Sequence, residues 1–195
     1  MRMPKAGKAS GFTLVELMVT LAVATVLVIA ATPSFVDFMD KARLRGVADN
    51  AVDFINKARA ESVKQNRNVN IAFGGSASAW CIGANTPDES SISPGDVIPA
   101  VAACDCNASA ASCLVAGQQS TLDVAATNGV TIDAVPASFT FDSRLGTVSP
   151  LGTTVTKFSS PRGKFDLQLT VTPLGQVGLC VPSSSKRAFP EFTSC

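Results

Sequence analysis

Histidine is absent from this chain, and with it go the commonest general base, the Ser-His-Asp and Cys-His arrangements, and most zinc sites. A strong charge of either sign is missing too. The formal net charge is +1, and the 16 basic residues include Arg2, Lys5 and Lys8, all ahead of Gly11. Without those three, 13 basic residues stand against 15 acidic ones, a charge of −2 that offers no bulk attraction for a polyanion. No cysteine precedes Cys81, and no Cys-x-x-Cys repeat occurs among the six that are present. A metal or redox site is therefore the lesser reading of the Cys104-Asp105-Cys106 run. The carboxylates Asp142, Asp166 and Glu191 show no paired spacing, and solvated acidic surface accounts for them. We expect no enzyme, no cofactor and no metal.

What is present is apolar. Hydrophobic residues make up 46% of the 195, enough for a sizeable core, and the length fits one membrane segment plus one globular domain. From Phe12 to Ala31 the chain is apolar apart from Thr13, Glu16, Thr20 and Thr25; a helix of this run spans roughly 30 Å, the thickness of a bilayer's hydrocarbon core. An ordinary cleavable signal, cut after the small residues Ala30 and Ala31, is the competing reading. Glu16 argues against it, because a carboxylate inside a membrane helix costs about 2.5 to 3.5 kcal/mol and normally marks function. The basic residues ahead of the run place the N-terminus inside and the rest of the chain outside.

Beyond Pro33, which removes a backbone donor, Phe35, Phe38, Ala42, Val47, Ala51, Phe54, Ile55, Ala58 and Ser62 recur at three- and four-residue steps. Asp37, Asp40, Lys41, Arg45, Asp49, Asp53, Lys57 and Glu61 fall largely between them. The spacing predicts one long helix over about 12–66, whose second half lays an apolar stripe on a globular head. A coiled-coil seam is the alternative, but the small Ala and Gly46 positions suit packing on a sheet. Short β-prone runs follow at Val69–Phe73, Ala79–Ile82, Ser138–Asp142, Leu167–Thr172 and Gln176–Val181, separated by Gly, Pro, Ser and Asn. The fold class is α+β: a long N-terminal helix, transmembrane then amphipathic, on an antiparallel sheet. The parts are a leader over 1–11, a transmembrane helix over 12–33, an amphipathic half over 34–67, and a head over 68–195 with a Cys-containing insertion at about 83–129.

All six cysteines lie in that head, an even set suited to an oxidising compartment. Cys180 ends a predicted strand and Cys195 is the last residue; a bond between them closes a 16-residue loop and stabilises by about 3 kcal/mol on the entropic account. Cys81, Cys104, Cys106 and Cys113 then allow three pairings, among which the sequence does not choose.

The run Gly11-Phe12-Thr13-Leu14-Val15-Glu16-Leu17, preceded by Lys5 and Lys8, is similar to the processing site of type IV prepilins and type II secretion pseudopilins. Phe139-Thr140-Phe141-Asp142-Ser143-Arg144-Leu145-Gly146, with Gly175-Gln176-Val177-Gly178-Leu179-Cys180, resembles the GspH/FimT group of minor pilins and pseudopilins. Many members of that group read Phe-Asp-x-Arg-Gly, so Leu145 is one inserted residue. The resemblance implies cleavage by prepilin peptidase between Gly11 and Phe12, methylation of the new Phe12 amine, and retention of Glu16 to meet the Phe12 ammonium of a neighbouring subunit. It implies a structural subunit held in a bacterial inner membrane with its head in the periplasm. Its partners would be other pilins or pseudopilins and an inner-membrane assembly platform, and it would help initiate a type IV pilus or a type II secretion pseudopilus. Some FimT-like minor pilins bind DNA through arginines before the tail. Both arginines are missing from Gly175-Gln176-Val177-Gly178, and Arg162, Lys164, Lys186 and Arg187 are left as a candidate basic patch, read more simply as solvated surface charge. Phe139 and Phe141 are expected to be core aromatics rather than a binding pair.

Overall fold

The computed structural model describes residues 11–86, 104–123, 127–187 and 189–195, with the backbone alone at 32 and 33. The chain divides into two compact units, one ending at Met39 and one running Asp40–Cys195. A single helix, α1 (Leu14–Gln65), passes through both. It starts two residues later than the sequence suggests because Thr13 caps it: the Thr13 hydroxyl accepts from the Glu16 amide at 3.2 Å and the Thr13 carbonyl from the Leu17 amide at 3.2 Å. It stops because Asn66 takes the left-handed conformation, φ 52°, which a short polar side chain tolerates. Arg67 N then donates to Ser62 O at 3.1 Å and Asn66 N to Val63 O at 3.2 Å, the two bonds of a Schellman end.

In the second unit, Leu44, Val47, Ala48, Ala51, Ile55, Ala58 and Ser62 face inward along α1. Phe35, Phe38 and Ala42, expected on the same stripe, are exposed. Ala42 stands nine residues before Ala51, on the opposite side of the helix at about 100° per residue, and Leu44 and Ala48 take its place in the register.

The strands are β1 (Val69–Ser76), β2 (Ala79–Asn85), β3 (Leu114–Val115), β4 (Gln118–Gln119), β5 (Thr121–Leu122), β6 (Thr131–Ile132), β7 (Phe139–Phe141), β8 (Val148–Ser149), β9 (Thr154–Ser159), β10 (Asp166–Val171) and β11 (Val177–Cys180). They form two principal sheets rather than one, ordered β5-β2-β1-β7-β8 and β11-β10-β9-β6, with β3 and β4 as a separate hairpin. All strand pairs within these sheets are antiparallel. Strand β9 was not foreseen, although its β-branched start Thr154-Val155-Thr156 is the signal for it; Lys157 interrupts the apolar pattern, yet Phe158 is fully buried.

The inner faces of both sheets and the α1 stripe share one core. Trp80 from β2 meets Phe158 from β9 with ring centroids 5.2 Å apart, and its indole Nε1 donates to Val130 O at 2.8 Å. Phe139 and Phe141 are buried and meet edge to face at 5.5 Å, each burial contributing about 1.5 to 3 kcal/mol. Strand β1 is buried at five successive positions instead of alternating, because its outer face is covered as well. The segment 104–122 lies there: a Cβ on Gly74 of β1 would stand 3.0 Å from Cys106 Sγ and 3.5 Å from Asp105 Oδ1, while along the edge of β2 Ala84 N donates to Ser120 O at 3.0 Å, Thr86 N to Leu114 O at 3.0 Å, and β5 pairs with β2. Asn70 faces this layer, and its Nδ2 donates to Thr140 Oγ1 at 3.1 Å.

Candidate assembly site

The first unit presents the sequence motif at a helix start. Gly11, Phe12 and Thr13 precede the helix, Phe12 is 82% exposed, and Glu16 sits in the first turn. Thr13-x-x-Glu16 is the spacing of a capping box, a signal present in the sequence that our reading passed over. The carboxylate of Glu16 also lies where the partial positive charge of the helix start favours an anion. Leu14–Ala31 is long and apolar enough to cross a membrane, and none of it is buried within the chain. Its hydroxyls leave no polar hydrogen unsatisfied: Thr20 donates to Leu17 O at 2.9 Å, and Thr25 to Leu21 O at 2.7 Å and Ala22 O at 2.9 Å. Glu16 is thus the one ionisable side chain between Phe12 and Ala31.

In the second unit, three disulfides hold the six cysteines: Cys81–Cys106, Cys104–Cys113 and Cys180–Cys195. The last fastens the C-terminal tail beside β11, where Val181 N donates to Thr193 O at 2.8 Å and Cys195 N to Val181 O at 3.0 Å. The tail is held to α1 as well. Arg45 pairs with Glu191, Lys41 Nζ sits 4.9 Å from the centre of the Phe165 ring, and Phe189 packs edge to face on Phe165 at 6.2 Å. Replacing Cys180 and Cys195 together by Ser should lower stability by about 3 kcal/mol. In thermal unfolding of the detergent-solubilised chain that is a fall of about 6 to 12 °C; a midpoint within 2 °C of the parent would mean that the α1 contacts alone hold the tail.

The candidate basic residues come from two stretches that meet, but one of them, Arg162, is committed to an ion pair. Arg162 Nε lies 3.0 Å from Asp40 Oδ2, in an ion pair whose alignment falls short of a hydrogen bond. Asp40 is 2% exposed, so Arg162 serves a buried carboxylate. Lys164 occupies the same turn, and Lys186 and Arg187 follow β11; the two stretches meet where Asp166 N donates to Ser185 Oγ at 3.2 Å. The three carboxylates considered as catalysts are dispersed. Asp142 Oδ1 accepts from the Arg144 and Leu145 amides at 2.7 and 2.9 Å, Asp166 Oδ1 accepts from Ser159 Oγ at 2.6 Å, and Glu191 holds Arg45. Among the described residues no group of three or more Cys, Asp or Glu side chains is placed to hold a metal.

The turn carrying the inserted Leu145 is well closed: Gly146 N donates to Asp142 O at 2.8 Å and Asp142 N to Thr147 O at 2.9 Å, leaving Leu145 76% exposed. It stacks on the β10–β11 turn so closely that a Cβ at Gly175, φ 73°, would stand 2.5 Å from Gly146 O and 2.9 Å from Arg59 Nε. Arg59 Nη2 donates to Leu174 O at 2.9 Å and so fastens the β10–β11 turn to α1. Nothing in the sequence singles out Arg59; its role depends on two turns far away in the chain.

An apolar helix led by a methylation-type motif, joined to an antiparallel head, defines a type IV pilin-like protein. Residues 7–32 match the family described as prokaryotic N-terminal methylation motif, and residues 47–175 match the family described as type II transport protein GspH. The second match takes in more than half of the chain, which belongs to the GspH family. The two matches together support a component of a pilus or pseudopilus, and the apolar helix behind the motif is of a length and composition that suit a membrane anchor. Two crystal structures of the type IV minor pilin FimU of Pseudomonas aeruginosa are similar to it. One shares 16% identity over 73% of this chain and 91% of that one, with a TM-score of 0.48. The other, in a second crystal form, shares 15% over 69% and 90%, with a TM-score of 0.41. No curated protein matches.

Proposed function

We propose that prepilin peptidase cuts this chain between Gly11 and Phe12 at the cytoplasmic face of the inner membrane, and that the Phe12 amine is then methylated. Glu16 docks the subunit by accepting the Phe12 ammonium of a neighbour, and the protein helps initiate a type IV pilus or a type II secretion pseudopilus, its head in the periplasm. The observation that carries the reading is Glu16, in the first turn of α1 and the lone carboxylate of the otherwise apolar, uncovered span Leu14–Ala31. A charge in lipid without a partner is unfavourable by several kcal/mol, and the span itself holds no cation to relieve it. The head adds exposed apolar surface, with Val63 and Leu145 beside Lys64 and Arg144.

Mass spectrometry of membrane-extracted protein tests the processing step. The expected N-terminal peptide begins at Phe12 and is heavier by one methyl group. A start at Thr32 or Pro33 would replace this reading with an ordinary secretory signal. DNA contact through Arg162, Lys164, Lys186 and Arg187 has less support, since Arg162 is paired with Asp40.

A further inference from the structure

Four cysteines lie together on the outer face of the β1–β2 hairpin, all of them buried. Their pairing is interleaved along the chain, Cys81 with Cys106 and Cys104 with Cys113. Cys104 and Cys106 are separated only by Asp105. In the unfolded chain Cys81 therefore reaches either sulfur at nearly the same rate: the alternative loop is two residues shorter than the 25-residue separation of Cys81 and Cys106, and closure entropy varies only with the logarithm of length. Cys113 reaches both as easily. The consecutive pairing, Cys81–Cys104 with Cys106–Cys113, is as accessible before folding as the native one.

The folded head accepts only one arrangement. Gly74 pairs across the strands with Cys81, and a Cβ on it would stand 3.0 Å from Cys106 Sγ and 3.2 Å from Cys81 Sγ. A Cβ on Gly83 would overlap Cys113 Sγ and stand 2.6 Å from Cys104 Sγ. Each glycine is thus the seat of one cystine, and Asp105 Oδ1, accepting from the Asn107 and Ala108 amides at 3.0 and 3.1 Å, fixes the turn that presents Cys104 and Cys106 to their separate seats. A chain oxidised in the consecutive order cannot fill both seats, and it cannot correct itself without a thiol, because it has none left.

The geometry points to a thiol–disulfide isomerase, a protein with a reduced, accessible cysteine thiolate, as a folding partner of this chain. Its thiolate attacks Cys104 Sγ of the Cys81–Cys104 bond, forming a mixed disulfide and releasing the Cys81 thiolate. The Cys81 thiolate attacks Cys106 Sγ of the Cys106–Cys113 bond, forming Cys81–Cys106 and releasing the Cys113 thiolate. The Cys113 thiolate attacks Cys104 Sγ of the mixed disulfide, forming Cys104–Cys113 and returning the isomerase thiolate. Two disulfides enter and two leave, with no net oxidation. The inference rests on export of the head to an oxidising compartment.

The test expresses the full chain in bacteria with and without their periplasmic disulfide isomerase, blocks free thiols at acid pH, and cleaves the unreduced protein on the N-terminal side of aspartate. Cys81, Cys104 and the pair Cys106 and Cys113 then fall on fragments 53–87, 96–104 and 105–122. Native pairing joins all three, and fragmentation within 107–112 separates Cys106 from Cys113. Consecutive pairing leaves 105–122 on its own, closed by an internal bond. Without the isomerase the separate fragment should rise to about half of the recovered chain, the share expected when two sulfurs compete equally, and a restored isomerase should remove it where one lacking its reactive cysteine does not. An unchanged share, or consecutive pairing in both strains, overturns the inference. Blocked thiols on all four cysteines in both strains overturn it through the export reading instead. Should the chain be degraded in the deficient strain, the same digest of chain reduced, unfolded and reoxidised in detergent, with and without added reduced isomerase, decides by the same two outcomes.

Discussion

Replacing Glu16 by Ala is expected to leave the leader cleaved and the protein in the membrane, yet to remove it from the filament almost entirely. On the proposed reading, cleavage depends on Gly11 and the backbone around it, whereas docking depends on a charge. In lipid the carboxylate is unfavourable by several kcal/mol, and a neighbouring Phe12 ammonium relieves it. The substitution makes the free subunit more comfortable in the bilayer and removes its electrostatic reason to leave. The Thr13 cap on the Glu16 amide is a backbone contact and survives the change, so α1 should start where it does now. Glu16→Gln keeps the size and a hydrogen-bonding end but not the charge, and should fail as Ala does; Glu16→Asp should retain part of the function. Processed protein should accumulate in inner-membrane fractions while sheared filaments contain less than about a tenth of the parent amount, since even 1.4 kcal/mol of lost docking energy is tenfold. Recovery of the Ala variant in filaments at the parent level would leave the carboxylate without a role.

Trp80→Ala should be the most destabilising single change in the head. The side chain is fully buried between the two sheets, against Phe158, and its indole is the donor to Val130 O. Truncation empties a site between β2 and β9, and costs about 3 to 5 kcal/mol, part of it from a buried carbonyl left without its partner. Against a total stability of about 5 to 15 kcal/mol, that removes a large share, and the unfolding midpoint should fall by about 6 to 20 °C. Trp80→Phe separates the two contributions, because it keeps a ring on Phe158 and loses only the donor; a fall of about a third as much is expected. This is the chain's single tryptophan, so circular dichroism rather than fluorescence reads the transition. A midpoint within 2 °C of the parent for the Ala variant would show that the two sheets do not depend on this contact.

How much of this could be read without coordinates depended on how local each signal is. Hydropathy and one charge sufficed for Phe12 to Ala31, because a membrane-length helix satisfies its own backbone and needs no distant partner. The α+β class and the long helix were legible for the same reason, and so were the inward Phe139 and Phe141. The register of the amphipathic half was not. Ala42 fits a helical spacing as well as Leu44 and Ala48 do, and only the position of the sheets decides which side of that stretch is covered. Strand β1 lost its alternation for a similar reason, since the 104–122 segment covers a face that composition leaves open.

The sequence by itself determined the charged and apolar features that act along a few residues: the N-terminal methylation-type motif, Glu16, the apolar run behind it and an even set of cysteines. Tertiary structure alone decided which of these meet across the chain. It seated Cys106 on Gly74 and Cys104 on Gly83, turned Arg162 toward the buried Asp40, and brought two turns together under Arg59. Those choices lie beyond the sequence because loops of such length close at nearly equal entropic cost, so that shape complementarity in the packed state, where a single Cβ is enough to exclude a partner, selects among contacts that the unfolded chain would make indifferently.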